Sequence, residues 1–213
     1  MVTCDVVLFR RREAAVETLL IKRKREPFEG LWAIPGGFVD EEERLAAAAL
    51  RELCEETGIR RVRLREFAVF GDPGRDPRGR TITVAYYALL GPSRGLSEAQ
   101  AGDDAAEVRW FSILRPPRAL AFDHAEILAA ARARLWEDFR HTPAAFRLLP
   151  RTFTLDELAE LFEAVRGKKL DRRSFRRRVL ALGCLEPEED MYYRFEARRF
   201  RQLRAEGRAF PDF

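Results

Sequence analysis

Apolar positions along this chain follow two rhythms. In the first third they come in short runs, Val2–Phe9 and Thr18–Lys22, which predict two strands joined by a polar turn as a hairpin. Leu31–Ile34 predicts another short strand, stopped by Pro35-Gly36-Gly37. The period then changes. Leu45, Ala46, Ala49, Leu50 and Leu53 recur at helical spacing, predicting a helix from about Glu42 to Thr57 that ends at Gly58. Strands are predicted at Val62–Phe70, Thr81–Leu90 and Val108–Phe111. The turn-rich stretch Gly71–Gly79 separates the first two, and a polar loop, Ser93–Ala106, separates the last two. After Pro116-Pro117, Asp123 is expected to cap a helix from His124 to about Arg140. This alternation predicts a mixed sheet with helices on both faces.

The pattern shifts again near His141-Thr142-Pro143. Thr154-Leu155-Asp156-Glu157 reads as a capping box opening the helix Leu155–Val165, with Leu158, Leu161, Phe162 and Val165 on one face. Gly167 ends that helix. Asp171 is expected to cap a second one, Arg172–Leu182, with Phe175, Val179 and Leu182 inward, and Met191–Phe195 reads as a strand. Helix, turn, basic helix and strand outline a winged helix-turn-helix. The chain therefore divides, in this reading, into an α+β domain at 1–143, including the connecting helix 124–140, and a winged-helix domain at 144–213.

Length and composition narrow the picture. The 213 residues are 46% hydrophobic, enough for a packed core, yet no apolar run reaches the roughly 18 residues of a membrane span. Neither a signal peptide nor a membrane partner is expected. Cys4, Cys54 and Cys184 are scattered and odd in number, which argues against a disulfide framework or a zinc site and suits a reducing cytoplasm. Only His124 and His141 are present, too few for a histidine-based metal site. Residues 1–143 hold 23 basic and 23 acidic side chains, whereas 144–213 hold 16 and 12, so the net charge of +4 lies in the C-terminal third. That asymmetry points to an anionic partner there.

Chemistry concentrates between Gly37 and Ile59. Glu52, Glu55 and Glu56 stand three and four apart, so they share a helix face and repel one another. A hard divalent cation, Mg²⁺ or Mn²⁺, would relieve the repulsion. Gly37, Glu43, Arg51, Glu52, Leu53, Glu55, Glu56, Gly58 and Ile59 match every defined position of G-x5-E-x7-R-E-U-x-E-E-x-G-U, where U is aliphatic. The stretch thus resembles the Nudix box. The resemblance implies a Nudix α/β/α sandwich that hydrolyses diphosphate links with bound metal. Glu52 and Glu56 would be the main ligands, Glu55 a third, and the carbonyl of Gly36 a further one, with Arg51 and Glu43 orienting the glutamates. Metal would activate a water, and a carboxylate would take its proton. Asp104 or Glu107 is favoured for that role, from a loop that also offers Glu98 and Asp103; Glu55 and Glu56 remain alternatives.

Pro27-Phe28, Gly30, Trp32 and Pro35-Gly36-Gly37, with Arg75-Asp76-Pro77-Arg78-Gly79, look like the branch acting on ADP-ribose and related nucleoside diphosphate derivatives. Arg75, Arg78 and Arg80, and also Arg23, suit phosphate binding through bidentate guanidinium contacts; a solvated charged loop is the alternative. In the C-terminal part, eight basic residues lie within positions 166–178. Lys168, Lys169, Arg172, Arg173, Arg176 and Arg177 are candidates for contacting double-stranded DNA, against the plainer reading of a solvated helix face. Glu186-Pro187-Glu188-Glu189-Asp190 is acidic where a DNA-binding wing is usually basic. Phe146–Leu149, Phe153–Leu158 and Gly167–Arg177 resemble the winged helix of Nudix-related transcriptional regulators. Such regulators sense ADP-ribose-type ligands, bind operators of NAD metabolism and are generally homodimers. Two roles from different classes follow: a Mg²⁺-dependent diphosphate hydrolase fused to a winged helix, or a dimeric regulator that senses ligand with little or no turnover.

Overall fold

The computed structural model describes residues 1–92 and 105–210. Its order is β1 (Val2–Arg12), β2 (Ala15–Arg23), β3 (Trp32–Ala33), β4 (Gly36–Phe38), α1 (Leu45–Thr57), β5 (Arg65–Phe70), β6 (Ile82–Leu90), β7 (Ala105–Ser112) and α2 (His124–His141). There follow β8 (Thr152–Thr154), α3 (Leu155–Arg166), α4 (Arg172–Leu182), β9 (Leu185–Pro187), β10 (Tyr192–Phe195) and α5 (Ala197–Ala205). Strands β3-β2-β1-β6-β5 form one sheet, extended by β4 on β1 and β7 on β2. The β1–β6 pair is parallel and its neighbours antiparallel, so the sheet is mixed as expected.

Strand alternation sorts the two cores. Cys4, Val6 and Leu8 of β1, with Val84 and Tyr86 of β6, pack under Ala48, Ala49 and Leu53 of α1. Val7 and Phe9, with Ala85, Tyr87 and Leu89, face the other side and meet Ile127, Ala131, Leu135 and Phe139 of α2. The second core does not stop at α2. It continues through Phe153, Leu158, Phe162, Phe175 and Phe210 of the C-terminal part. Arg11 of β1 reaches Glu157 and Glu160 of α3, each at 3.5 Å. Arg132 of α2 donates to the carbonyls of Val165 (2.7 Å) and Arg166 (2.6 Å) at the end of α3.

The C-terminal part is a winged helix. Thr154 and Glu157 form the expected capping box, and Asp171 caps α4 by accepting from the Ser174 backbone N–H. Strands β8-β10-β9 make the wing sheet. Its acidic residues are partly self-neutralised, because Glu186, Glu188 and Glu196 all surround Arg194.

Several sequence expectations need correction. α1 starts at Leu45 and not at Glu42; the preceding turn is closed by Glu43 N–H donating to Asp40. Asp123 precedes α2 but makes no side-chain cap, because its carboxylate is engaged by Arg75. Gly36 and Gly37 do not merely stop a strand: they form one, β4, against Asp5 and Cys4. Ala105 and Ala106 belong to β7, and the rest of the expected polar loop, 93–104, lies outside the described residues. The strand at 62–70 begins only at Arg65, and α5 was not anticipated.

Candidate active site and nucleic-acid interface

α1 and β4 build the candidate site. β4 runs so close to β1 that a Cβ on Gly36 would stand 2.2 Å from the Cys4 carbonyl oxygen. A Cβ on Gly37 would stand 2.4 Å from the Glu52 carboxylate. Both glycines are therefore required by close approach, and they bring backbone alongside the glutamates of α1. The Gly36 N–H donates to Glu56 Oε2 at 2.9 Å. Glu56 is buried, and desolvation raises its pKa to about 8 against that hydrogen bond, with Glu52 and Asp5 adding repulsion. Glu52 is also raised, first by burial and opposed by Arg51.

Arg51 organises the outer side. It donates to both oxygens of Glu43 (3.1 and 2.8 Å), to Glu52 (2.8 Å), to Glu55 (3.2 Å) and to the Phe38 carbonyl (3.0 Å). Its own pKa rises as a result, with Glu43 the largest cause. Glu55 is the most exposed of the three box glutamates and turns to Arg51. Among the described residues no three His, Cys, Asp or Glu side chains are clustered closely enough to hold an ion by themselves. The pair Glu52 and Glu56 nevertheless suits a hard cation. Both are partly or wholly withdrawn from water with raised pKa values, and Glu56 accepts from the Gly36 backbone N–H.

A cleft of about 350 Å³ opens beside Glu52, Glu56, Gly36 and Gly37 and is bounded across by Arg23 and Arg78. A smaller cavity, about 100 Å³, continues from Arg23 and Arg78 towards Asp5, Phe122 and His124. The two cations have different supports. Arg78 is clamped on the buried Asp76 (2.7 Å) and lies 4.8 Å from the Phe38 ring. Arg23 donates to the Pro27 carbonyl (2.7 Å) and lies 4.9 Å from the Phe122 ring; burial, then Arg78, lowers its pKa. Two guanidiniums facing two carboxylates across one cleft suit a ligand that carries phosphates and a cation together.

The other sequence candidates differ in place. Arg75 lines the smaller cavity but is held in a bidentate pair with Asp123 (2.8 and 2.7 Å), so it fastens the 71–79 loop to the start of α2. Arg80 donates to the Gly71 carbonyl and lines neither cavity. Glu107 pairs with Arg109 on β7 and also lines neither. Asp104 lies outside the described residues. Sequence reasoning missed Asp5, Asp76, Phe38 and Phe122. Asp5 had a signal, a lone carboxylate inside the run Cys4–Phe9. In the structure it accepts from Thr83 at 2.6 Å and stands 3.6 Å from His124 Nε2.

On α4, Phe175 and Val179 are buried, while Arg173, Arg176 and Arg177 are exposed on the opposite side. Arg172 and Lys169 converge instead on Glu163 (3.2 and 3.0 Å) and hold the turn between the two helices. Lys168 is exposed in that turn.

The NUDIX domain model matches residues 1–131. The chain belongs to the Nudix family. The model of the NrtR DNA-binding winged helix domain matches residues 145–199, so this Nudix protein carries that second domain. It is 37% identical over 188 residues to the ADPR responsive transcriptional repressor NtrR of Acinetobacter baylyi, covering 87% of this chain and 74% of the relative. It is 44% identical over 110 residues to an ADP-ribose pyrophosphatase of Methanocaldococcus jannaschii, covering 52% and 62%. Shewanella oneidensis NrtR complexed with a 27mer DNA superposes with a TM-score of 0.72 at 31% identity, covering 98% of this chain and 97% of that one.

Proposed function

We propose that this Nudix protein is a DNA-binding regulator that takes ADP-ribose or a similar nucleoside diphosphate derivative in the cleft between α1 and Arg23/Arg78. The observation that carries this reading is the continuous core. The sheet that supports the cleft and the helix pair that presents Arg173, Arg176 and Arg177 share one set of packed side chains. Likeness to the A. baylyi repressor over most of both chains supports it. Arg23 and Arg78 bind the ligand's phosphates, and Phe38 and Phe122 wall the site beside them. In this proposal the chain works as a homodimer, matching two DNA half-sites with two winged helices.

A second reading, turnover of the same ligand, is favoured by Glu52 and Glu56 standing together beside Gly36. Mg²⁺ or Mn²⁺ held there would neutralise diphosphate oxygens and acidify a bound water. The chain's own part is to place Glu52 through Arg51, to fix Glu56 through the Gly36 N–H, and to hold the phosphates with Arg23 and Arg78. The test is calorimetric titration with ADP-ribose and Mg²⁺, followed by ³¹P NMR of the mixture. Binding, with conversion to two phosphate monoesters that Glu56→Gln abolishes, supports both readings. Binding without conversion leaves the regulator alone. No binding to the folded protein removes both.

A further inference from the structure

Another cavity, about 530 Å³, lies away from the cleft, where the Nudix sheet meets the segment leading into the winged helix. Arg63 lines it from just before β5 and Arg65 from the first residue of that strand, Tyr87 and Leu89 from β6, and Ala144 and Arg147 from the connecting segment. Arg65 and Tyr87 are register partners, so the wall is set by the sheet itself.

The charges there do not cancel. Asp138 at the end of α2 is buried and is the nearby acid. It is already met by the Tyr87 hydroxyl, by Arg134 at 3.3 Å and by Arg65 at 3.0 Å. The partial negative charge of a helix C-terminus is about half an elementary charge. Arg134 and Arg65 therefore cover both it and Asp138. Arg63 and Arg147 are exposed and are surplus to that balance, with no carboxylate within ion-pair distance among the described residues. Guanidiniums flanking a cavity with an apolar wall fit a phosphate carried on an organic body. The space is far larger than a bare phosphate needs.

From this juxtaposition we infer that the junction cavity is a second anion site, taking a phosphate monoester of nucleotide size. Arg63 and Arg147 grip the phosphate, and Leu89 and Ala144 face its sugar or base. The site does not depend on the function proposed for the cleft. Its ligands belong to the class that cleavage of a nucleoside diphosphate sugar would release, so two sources need separate arms, a nucleoside monophosphate and a sugar phosphate.

The experiment titrates full-length protein with AMP, and separately with ribose 5-phosphate, by calorimetry. Wild type is compared with the double variant Arg63→Ala/Arg147→Ala and with Arg23→Ala in the cleft. Hydrogen exchange across residues 142–147 is followed in parallel. The expected result is at least a tenfold loss of affinity for the bound monoester in the double variant and none in Arg23→Ala, with ligand-dependent protection of 142–147. Binding by AMP alone assigns the apolar wall to the base; binding by both assigns the site to the phosphate and sugar. Equal affinity in wild type and the double variant, or no binding of either probe at millimolar concentration, overturns the inference. Loss confined to Arg23→Ala also overturns it, by placing the monoester in the cleft. Both replaced arginines are exposed, and a circular dichroism melt checks that the variant is folded.

Discussion

Neighbouring glycines of β4 should fail in different ways when each gains a methyl group. In Gly36→Ala the new carbon would meet the Cys4 carbonyl oxygen at 2.2 Å and the Asp5 Cα at 2.9 Å. Both belong to the strand against which β4 is paired, so only a backbone shift relieves the clash. Overpacking of this kind costs about 1–3 kcal/mol, and a backbone obstacle puts Gly36→Ala near the upper end. In Gly37→Ala the obstacle is the Glu52 carboxylate at 2.4 Å, the far end of a flexible side chain. It can move, so the stability cost falls to about 1 kcal/mol or less, but Glu52 then leaves its position beside Glu56. Misplacing a positioned group by about 1 Å costs about 10²-fold in rate. Urea denaturation reads the first quantity. Mn²⁺ binding followed by electron paramagnetic resonance, with ADP-ribose turnover, reads the second. Gly37→Ala should keep most of its stability and lose metal affinity and turnover. The reasoning fails if Gly37→Ala is as destabilised as Gly36→Ala while binding Mn²⁺ as wild type does.

Three further outcomes follow from the geometry. His124 is buried and its pKa is lowered, by desolvation first, with Asp5 and Asp123 opposing and Arg75 and Arg23 adding to the fall. Its Nδ1 accepts from the Ile34 N–H at 2.8 Å, so the folded protein keeps the ring neutral. As pH falls below the ordinary histidine value of about 6.5, the unfolded chain gains a proton that the folded one refuses. Stability should therefore decline between that value and the lowered folded pKa, more in wild type than in His124→Asn, as measured by urea midpoints from pH 7 to 5. Glu163 has a lowered pKa: burial opposes, but the Leu170 N–H and Lys169 outweigh it. Glu163→Ala should cost about 1.5–3 kcal/mol, read by thermal denaturation, by freeing the α3–α4 turn. Replacing Arg173, Arg176 and Arg177 with alanine should weaken duplex binding and reduce the slope of log K against log salt by up to about 2.7, at about 0.9 per phosphate contact. An unchanged slope would leave α4 as structure alone.

The parts legible in sequence were those governed by local rules. The capping box at Thr154 and the cap at Asp171 are decided within a few residues, and both form as the spacing predicts; of the box glutamates, Glu52 and Glu56 line the cleft, whereas Glu55 turns to Arg51. Long-range partners were not legible. Arg75 reads as one more loop cation, yet Asp123, nearly fifty residues away, draws it into a buried pair. The same contact removes Asp123 from the cap its position suggested. Arg78 and Arg75 are three residues apart in the same loop, and only the fold sets one at both cavities and the other at the smaller one alone, paired with Asp123. Arg172 shows the same effect on α4, since Glu163 of the preceding helix turns it away from the exposed row. Asp5 was readable as an anomaly, a carboxylate in an apolar strand, but its neighbours Thr83 and His124 arrive from β6 and α2.

The central claim joins the cleft to the winged helix in one packed body. It is tested most directly by fluorescence anisotropy of a duplex selected from a random pool by the full chain, titrated with protein in the absence and presence of saturating ADP-ribose. The account predicts a change in DNA affinity of about 5–150-fold, the usual range of coupling between two sites, and no change in a variant whose cleft is disabled by Arg23→Ala and Arg78→Ala. Identical DNA affinity with and without ligand, when calorimetry shows the ligand bound, would contradict it.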